Sequence, residues 1–317
     1  MHFKSTADLA TYLQLTTEDL ATLGIDPDSD FALKVPKHFA EQMRQGNPQD
    51  PLLLQVLPRE LEKQRVPGFS QDPVGDLKAN PTPALLHKYH GRALLMTSPR
   101  CDIHCRYCFR RHFPYESQIN QRHWQTALQQ IAQDTSLQEI ILSGGDPMTL
   151  SEPQLLHLSQ KIEAIGHIHT LRVHSRTPIV APDKAPQNAW LDFCQTSRLK
   201  IVLVVHCNHP QELSEHTAKL LQRYQQAGIT LLNQSVLLKG INDQTEILEQ
   251  LSHALFQQGV LPYYLHQLDK VNGAAHFEVS DSKAQALIQH LRQHLPGYLV
   301  PKLVREVAGT GFKQPIQ

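Results

Sequence analysis

Three of the five cysteines fall on one short stretch, Cys101-Asp102-Ile103-His104-Cys105-Arg106-Tyr107-Cys108. This C-x3-C-x2-C spacing puts three thiolates on a single loop. Three such ligands hold three corners of a [4Fe-4S] cluster and leave the fourth iron without a protein ligand. A structural zinc ion is the rival occupant. It needs four closed ligands, so His104 or His112 would have to complete it. A disulfide would strand one thiol of the three. Cys194 and Cys207 lie elsewhere and read as ordinary buried residues. An odd cysteine count with one tight cluster fits a reducing cytoplasm rather than a secreted disulfide framework. A second stretch, Leu142-Ser143-Gly144-Gly145-Asp146-Pro147, is by itself only a turn signal.

The elements that must carry these loops begin at about residue 93. Short apolar runs at 93–97, 139–142, 171–174, 200–205, 230–234 and 262–266 read as strands. Amphipathic stretches at 123–133, 152–165, 187–194, 212–227, 244–257 and 283–294 read as the helices between them. Six such alternations predict an α/β fold with a parallel sheet, either open and doubly wound or curled into a partial or complete barrel. A last strand over 302–307 leads into Gly309-Thr310-Gly311-Phe312-Lys313. Residues 1–85 read as short helices broken by prolines, with an extended stretch wrapped on the larger body. The expected organisation is therefore an N-terminal helical and extended region (1–85), a core (86–300) and a C-terminal strand and loop (301–317).

With 317 residues the chain can bury a sizeable core. Thirty basic and thirty acidic side chains cancel, which argues against a polybasic nucleic-acid binder. No run is long and apolar enough to suggest a membrane span, and the N-terminus has no apolar signal-peptide core. Nineteen histidines stand out, and the residue types alone give none of them a firm role.

The cysteine loop, with Tyr107 before its third cysteine, resembles that of radical S-adenosylmethionine (SAM) enzymes. The Ser143-Gly144-Gly145-Asp146 stretch resembles their glycine-rich SAM-binding motif. Val173-His174-Ser175-Arg176-Thr177-Pro178, His206-Cys207-Asn208-His209-Pro210, the run from Asn233 to Asp243, and the run from Pro262 to Asp269 are similar to lysine 2,3-aminomutase. The similarity spans about residues 89–313. It implies a partial (β/α)6 radical SAM barrel holding a [4Fe-4S] cluster on Cys101, Cys105 and Cys108. SAM would sit on the open iron, beside Ser143, Gly144, Gly145, Asp146, His206 and Gln234. It further implies pyridoxal 5′-phosphate (PLP) as a Schiff base on Lys313, with Tyr89 and Arg92 at its ring and phosphate.

For the substrate, the resemblance implies L-lysine, its carboxylate on Arg110 and its side-chain ammonium on Asp269 and Glu306. Glu306 stands where the family has a second aspartate. Arg106 and Arg111, next to Arg110, read either as helpers for anionic ligands or as a solvated basic loop. The compact length and short tail resemble the branch that makes (R)-β-lysine for elongation factor P. That branch implies a flavodoxin- or ferredoxin-type reductant and a separate ligase, and leaves the oligomeric state open, a homodimer included. The alternatives are a stand-alone aminomutase releasing a free β-amino acid, a radical SAM enzyme of other chemistry, and a non-enzymatic zinc-binding module.

Overall fold

A computed structural model describes residues 1–316 except Pro81. A two-stranded antiparallel ribbon, β1 (His2–Phe3) and β2 (Val35–Pro36), lies in the N-terminal region. The main sheet has nine strands: β3 (Leu85–Tyr89), β4 (Arg92–Ser98), β5 (Glu139–Gly144), β6 (Thr170–Ser175), β7 (Lys200–Val205), β8 (Thr230–Val236), β9 (Leu261–His266), β10 (Lys302–Arg305) and β11 (Gln314–Pro315). They lie side by side in chain order. From β4 to β10 every neighbouring pair is parallel. β3 and β11 are antiparallel edges.

Six helical connections join the parallel strands, as expected. Their main helices are Gln121–Gln133, Glu152–Glu163, Ala189–Thr196, Glu215–Gln226, Thr245–Gln257 and Asp281–His294. Each is amphipathic because its apolar residues recur at helical spacing; Leu248, Leu251 and Leu255 are buried on one of them. Helix ends follow local chemistry. Ser280 Oγ accepts the Lys283 amide at one start. Gly228 and Gly259 take positive φ just past two helix ends.

The sheet does not close, which settles the choice between open sheet and complete barrel. Its two edges are nevertheless bridged by side chains: Tyr89 of β3 donates to Glu306, just past β10, and Lys88 lies 3.8 Å from the same carboxylate.

One strand was not read from the sequence: residues 85–89, at the start of the expected core, pair antiparallel with β4. Residues 1–85 also share one continuous apolar core with the sheet, with Leu9, Phe39 and Leu53 packed in the same cluster as Leu142 and Leu203. No helix among the described residues is long and apolar enough to cross a membrane.

Candidate active site

The cysteine loop leaves the end of β4 and is held from both sides. Residues 144–146 run against its first turn: the Gly145 amide donates to Ser98 O and the Asp146 amide to Arg100 O, each at 2.7 Å. A Cβ on Gly145 would stand 2.4 Å from Arg100 O, and one on Gly144 would stand 2.8 Å from Ser98 O. The two glycines are thus required where backbone meets backbone. That crossing fixes the turn against the cysteine loop. Asp146 is also committed. Its carboxylate accepts from Ser175 Oγ and from the Met148, Arg176 and Thr177 amides, tying the ends of β5 and β6 together. These bonds fix the backbone at the two strand ends.

On the other side lies the N-terminal region. Lys34 Nζ donates to Cys101 O, the His104 amide to Lys34 O, and the Arg106 amide to Gln55 O. Arg106 is fully buried and pairs with Glu62 through Nε and Nη2, at 2.7 and 2.6 Å. Arg111 reaches the same carboxylate at 2.8 Å. Neither arginine is free for an anionic ligand, and neither belongs to a solvated loop. They clamp the cysteine loop onto residues 29–62.

These contacts bear on the zinc alternative. His104 Nδ1 lies 2.7 Å from Ala32 O with its ring stacked on Phe31, and His112 Nε2 lies 3.4 Å from Asn272 O. Among the described residues each contact still leaves the other ring nitrogen free, but neither histidine gathers with two of the cysteines within 4.8 Å. The three cysteine sulfurs are also not all within 4.8 Å of one another. Tetrahedral zinc with bonds of about 2.3 Å would gather them to about 3.8 Å. A larger cluster suits the wider spread. Burial and the neighbouring thiols push Cys101 up, and Cys108 is pushed up to about 11. Iron binding must therefore displace protons, as thiolate ligation generally does.

Beneath the loop a buried network joins several strand ends. Tyr107 OH lies 2.8 Å from His206 Nε2 and accepts from Arg176 Nη1 and Asn208 Nδ2. Arg176 also reaches Cys105 Sγ at 2.7 Å and Glu212 at 3.0 Å. His206 is thereby placed at the end of β7, against the cysteine loop. Burial lowers its pKa well below the usual histidine value. Gln234 lies on β8, opposite Tyr264 in the ladder.

Toward the middle of the sheet the charged residues gather. Arg110 donates to Asp76 through Nε (2.6 Å) and to Ser143 Oγ through Nη1 (3.1 Å). Its Nη2 makes no hydrogen bond among the described residues. Lys88 pairs with the other oxygen of Asp76 at 2.6 Å. Burial pushes the Asp76 carboxyl up, but Arg110 and Lys88 outweigh it and the net shift is down. Lys313 Nζ donates to Glu306 Oε2 at 2.8 Å, and Tyr89 OH to Glu306 Oε1 at 2.5 Å. Burial opposes ionisation of Glu306; Lys313, Tyr89 and Lys88 outweigh it and lower its pKa. Arg92 lies over the Tyr89 ring at 4.5 Å.

Asp269, just past β9, makes no side-chain hydrogen bond among the described residues. Burial and, next among the raising influences, Glu306 push it up to about 7, against the pull of Lys313 and Lys88. Arg305 pairs with Asp281 and not with Glu306.

The geometry leaves polar capacity unspent. His174 Nε2 is buried without a partner, Arg110 Nη2 is open, and the Asp269 carboxyl is unpaired. Buried polar groups of this kind are normally satisfied, and each of the three suits a polar ligand atom. Burial holds His174 and His266 neutral, their pKa values lowered further by Lys313 nearby. Asp76, Lys88, His174 and His266 were not singled out from sequence. His174 and His266 sat inside quoted motifs without a role; Asp76 carried no signal at all, because a lone aspartate among prolines has no pattern.

An α/β sheet with three thiols on the loop after its first parallel strand, and a glycine turn locking that loop, defines an iron–sulfur protein of the radical SAM class. Residues 90–181 match the model of a 4Fe-4S single cluster domain. Proteins named L-lysine 2,3-aminomutase from Escherichia coli K12 and Haemophilus influenzae are both 47% identical, over 98% and 89% of this chain and 90% and 84% of their own lengths. One of the same name from Clostridium subterminale is 31% identical over 98% of this chain and 74% of its own. The chain belongs to the L-lysine 2,3-aminomutase family. It is an isomerase with a [4Fe-4S] cluster and SAM as cofactors, and the family uses PLP as well.

Proposed function

We propose that this chain rearranges L-lysine to (R)-β-lysine with PLP on Lys313, and that the product is destined for attachment to elongation factor P. The observation that carries the reading is the 2.8 Å pair between Lys313 Nζ and Glu306, beside the unpaired Asp269. A primary ammonium already rests on Glu306, the group proposed to receive the ammonium of substrate lysine. Two carboxylates suit a diamino acid and repel an acidic side chain.

Cys101, Cys105 and Cys108 would hold the cluster. SAM would lie at the mouth near Ser143, His206 and Gln234, where Gly144, Gly145 and Asp146 fix the loop that receives it. Bound together, cluster, SAM and PLP supply the radical chemistry and spread the unpaired spin. The protein's own residues bind and orient. Arg110 offers Nη2 to the substrate carboxylate, and Nη1 as well once a carboxylate displaces the neutral Ser143 hydroxyl. Asp76 fixes the guanidinium from behind. Tyr89 and Arg92 form a stacked pair suited to a flat ring bearing a phosphate. The buried histidines and leucines exclude water from reactive intermediates. The reductant would be a flavodoxin- or ferredoxin-type protein.

Anaerobic turnover with SAM, PLP, a reductant and a panel of amino acids tests the reaction, with product stereochemistry resolved. Absence of β-lysine under every reducing condition overturns it. Borohydride should fix PLP on Lys313; label at another residue rejects the lysine assignment. Weighing elongation factor P from a strain lacking the gene tests the destination, because loss of a lysyl-sized adduct is expected. An unchanged mass would favour release of free β-lysine.

A further inference from the structure

We propose that Glu249, His290 and His294 form a binding site for a divalent ion of the zinc type, on the flank of the sheet remote in strand order from the cysteine loop. His290 and His294 are one turn apart on the Asp281–His294 helix and so share a face. Glu249 comes from the Thr245–Gln257 helix beside it. His290 Nε2 and His294 Nδ1 each lie 2.9 Å from the same oxygen, Glu249 Oε1. Among the described residues this is the one trio of histidine, cysteine or carboxylate groups whose ligand atoms all lie within 4.8 Å of one another.

Both imidazoles turn a nitrogen toward one carboxylate oxygen, which is the convergence a shared ion requires. Two histidines and a carboxylate are a ligand set that zinc accepts, with bonds of about 2.0–2.2 Å. Ligand atoms around such an ion stand about 3.3 Å apart in a tetrahedron. The present contacts would open by only a few tenths of an ångström. The spacing is held from below, because Leu248, Leu287 and Leu291 of the two helices pack in one apolar cluster. The side chains remain 27%, 34% and 50% exposed for Glu249, His290 and His294, so an ion can enter and water can complete its coordination. The two helices lead into β9 and β10, whose ends carry Asp269 and Glu306. A bound ion would staple that flank.

The test is a titration of the cluster-loaded protein with Co2+, a coloured probe for zinc sites, under anaerobic conditions. One ion per chain is expected, with visible d–d absorption and a raised midpoint of thermal unfolding. The double variant Glu249→Gln, His290→Ala should bind at least about 100-fold more weakly, the upper end of what losing a mere outer-shell partner costs. Its metal-free circular dichroism should match the parent, since both side chains are at the surface. Failure of the parent protein to saturate below millimolar Co2+ overturns the proposal. So does unchanged affinity in the double variant, which would place the ion elsewhere.

Discussion

Replacing Asp269 by asparagine should make the ligand-free protein more stable at neutral and alkaline pH while destroying its use for lysine. The carboxyl is pushed from an ordinary value of 3.8 up to about 7, with burial the largest cause. A carboxyl raised in the folded state binds its proton more tightly there than in the unfolded chain. Below about pH 4 both states are protonated and the residue contributes nothing. Between about 4 and 7 the unfolded chain loses its proton first, and the folded state falls behind with each step of pH. Above about 7 the deficit is constant. The distance from 3.8 to about 7, at about 1.36 kcal/mol per pH unit, sets an upper limit of about 4 kcal/mol. Asparagine has nearly the same shape and no charge to bury, so the variant is relieved of that deficit.

Urea unfolding of both proteins from pH 4 to pH 9, without lysine, reads it out. The stability gap should open as pH rises from 4 to 7, in favour of Asp269→Asn, and then stay flat. Excess L-lysine should stabilise the parent and not the variant. A variant of equal or lower stability at pH 8, with parallel pH profiles, would show that Asp269 is ionised at no cost and refute the argument.

Glu306→Gln removes the charge from a charge-assisted bond of about 1.5–3 kcal/mol, so KM for lysine should rise by up to roughly 10–150-fold with a smaller change in kcat. An unchanged KM would mean that Glu306 serves Lys313 and Tyr89 alone. Gly145→Ala places a methyl 2.4 Å from Arg100 O. Strain of about 1–3 kcal/mol in that turn should lower the iron retained after anaerobic reconstitution, by iron assay and electron paramagnetic resonance. Glu62→Gln leaves Arg106 and Arg111 without their shared carboxylate. A loss of about 3–5 kcal/mol is expected in denaturant unfolding.

Much of this was legible in the sequence because it repeats. Strand–helix alternation marked seven strands along the chain, though not their order in the sheet, and cysteine spacing marked the cluster loop. What escaped depends on contacts between distant segments. Asp76 and Lys88 acquire meaning only when β3 returns beside the cysteine loop and Arg110 is placed against it. The glycine turn was recognised, but its reason is a backbone crossing that no spacing reveals. Arg106 and Arg111 looked like exposed basic residues because their partner, Glu62, lies more than forty positions earlier in a stretch without periodicity.

The grip of the N-terminal region on the cysteine loop has a consequence for the lifetime of the enzyme. The restraints run through Lys34, Gln55 and Glu62 to backbone and arginine groups, and none passes through a thiol. Oxidative loss of iron therefore need not unravel the loop, and the three sulfurs stay displayed for reloading. The cluster becomes a replaceable part. Repeated cycles of oxidation and reconstitution should restore the iron signal without any intervening loss of circular dichroism.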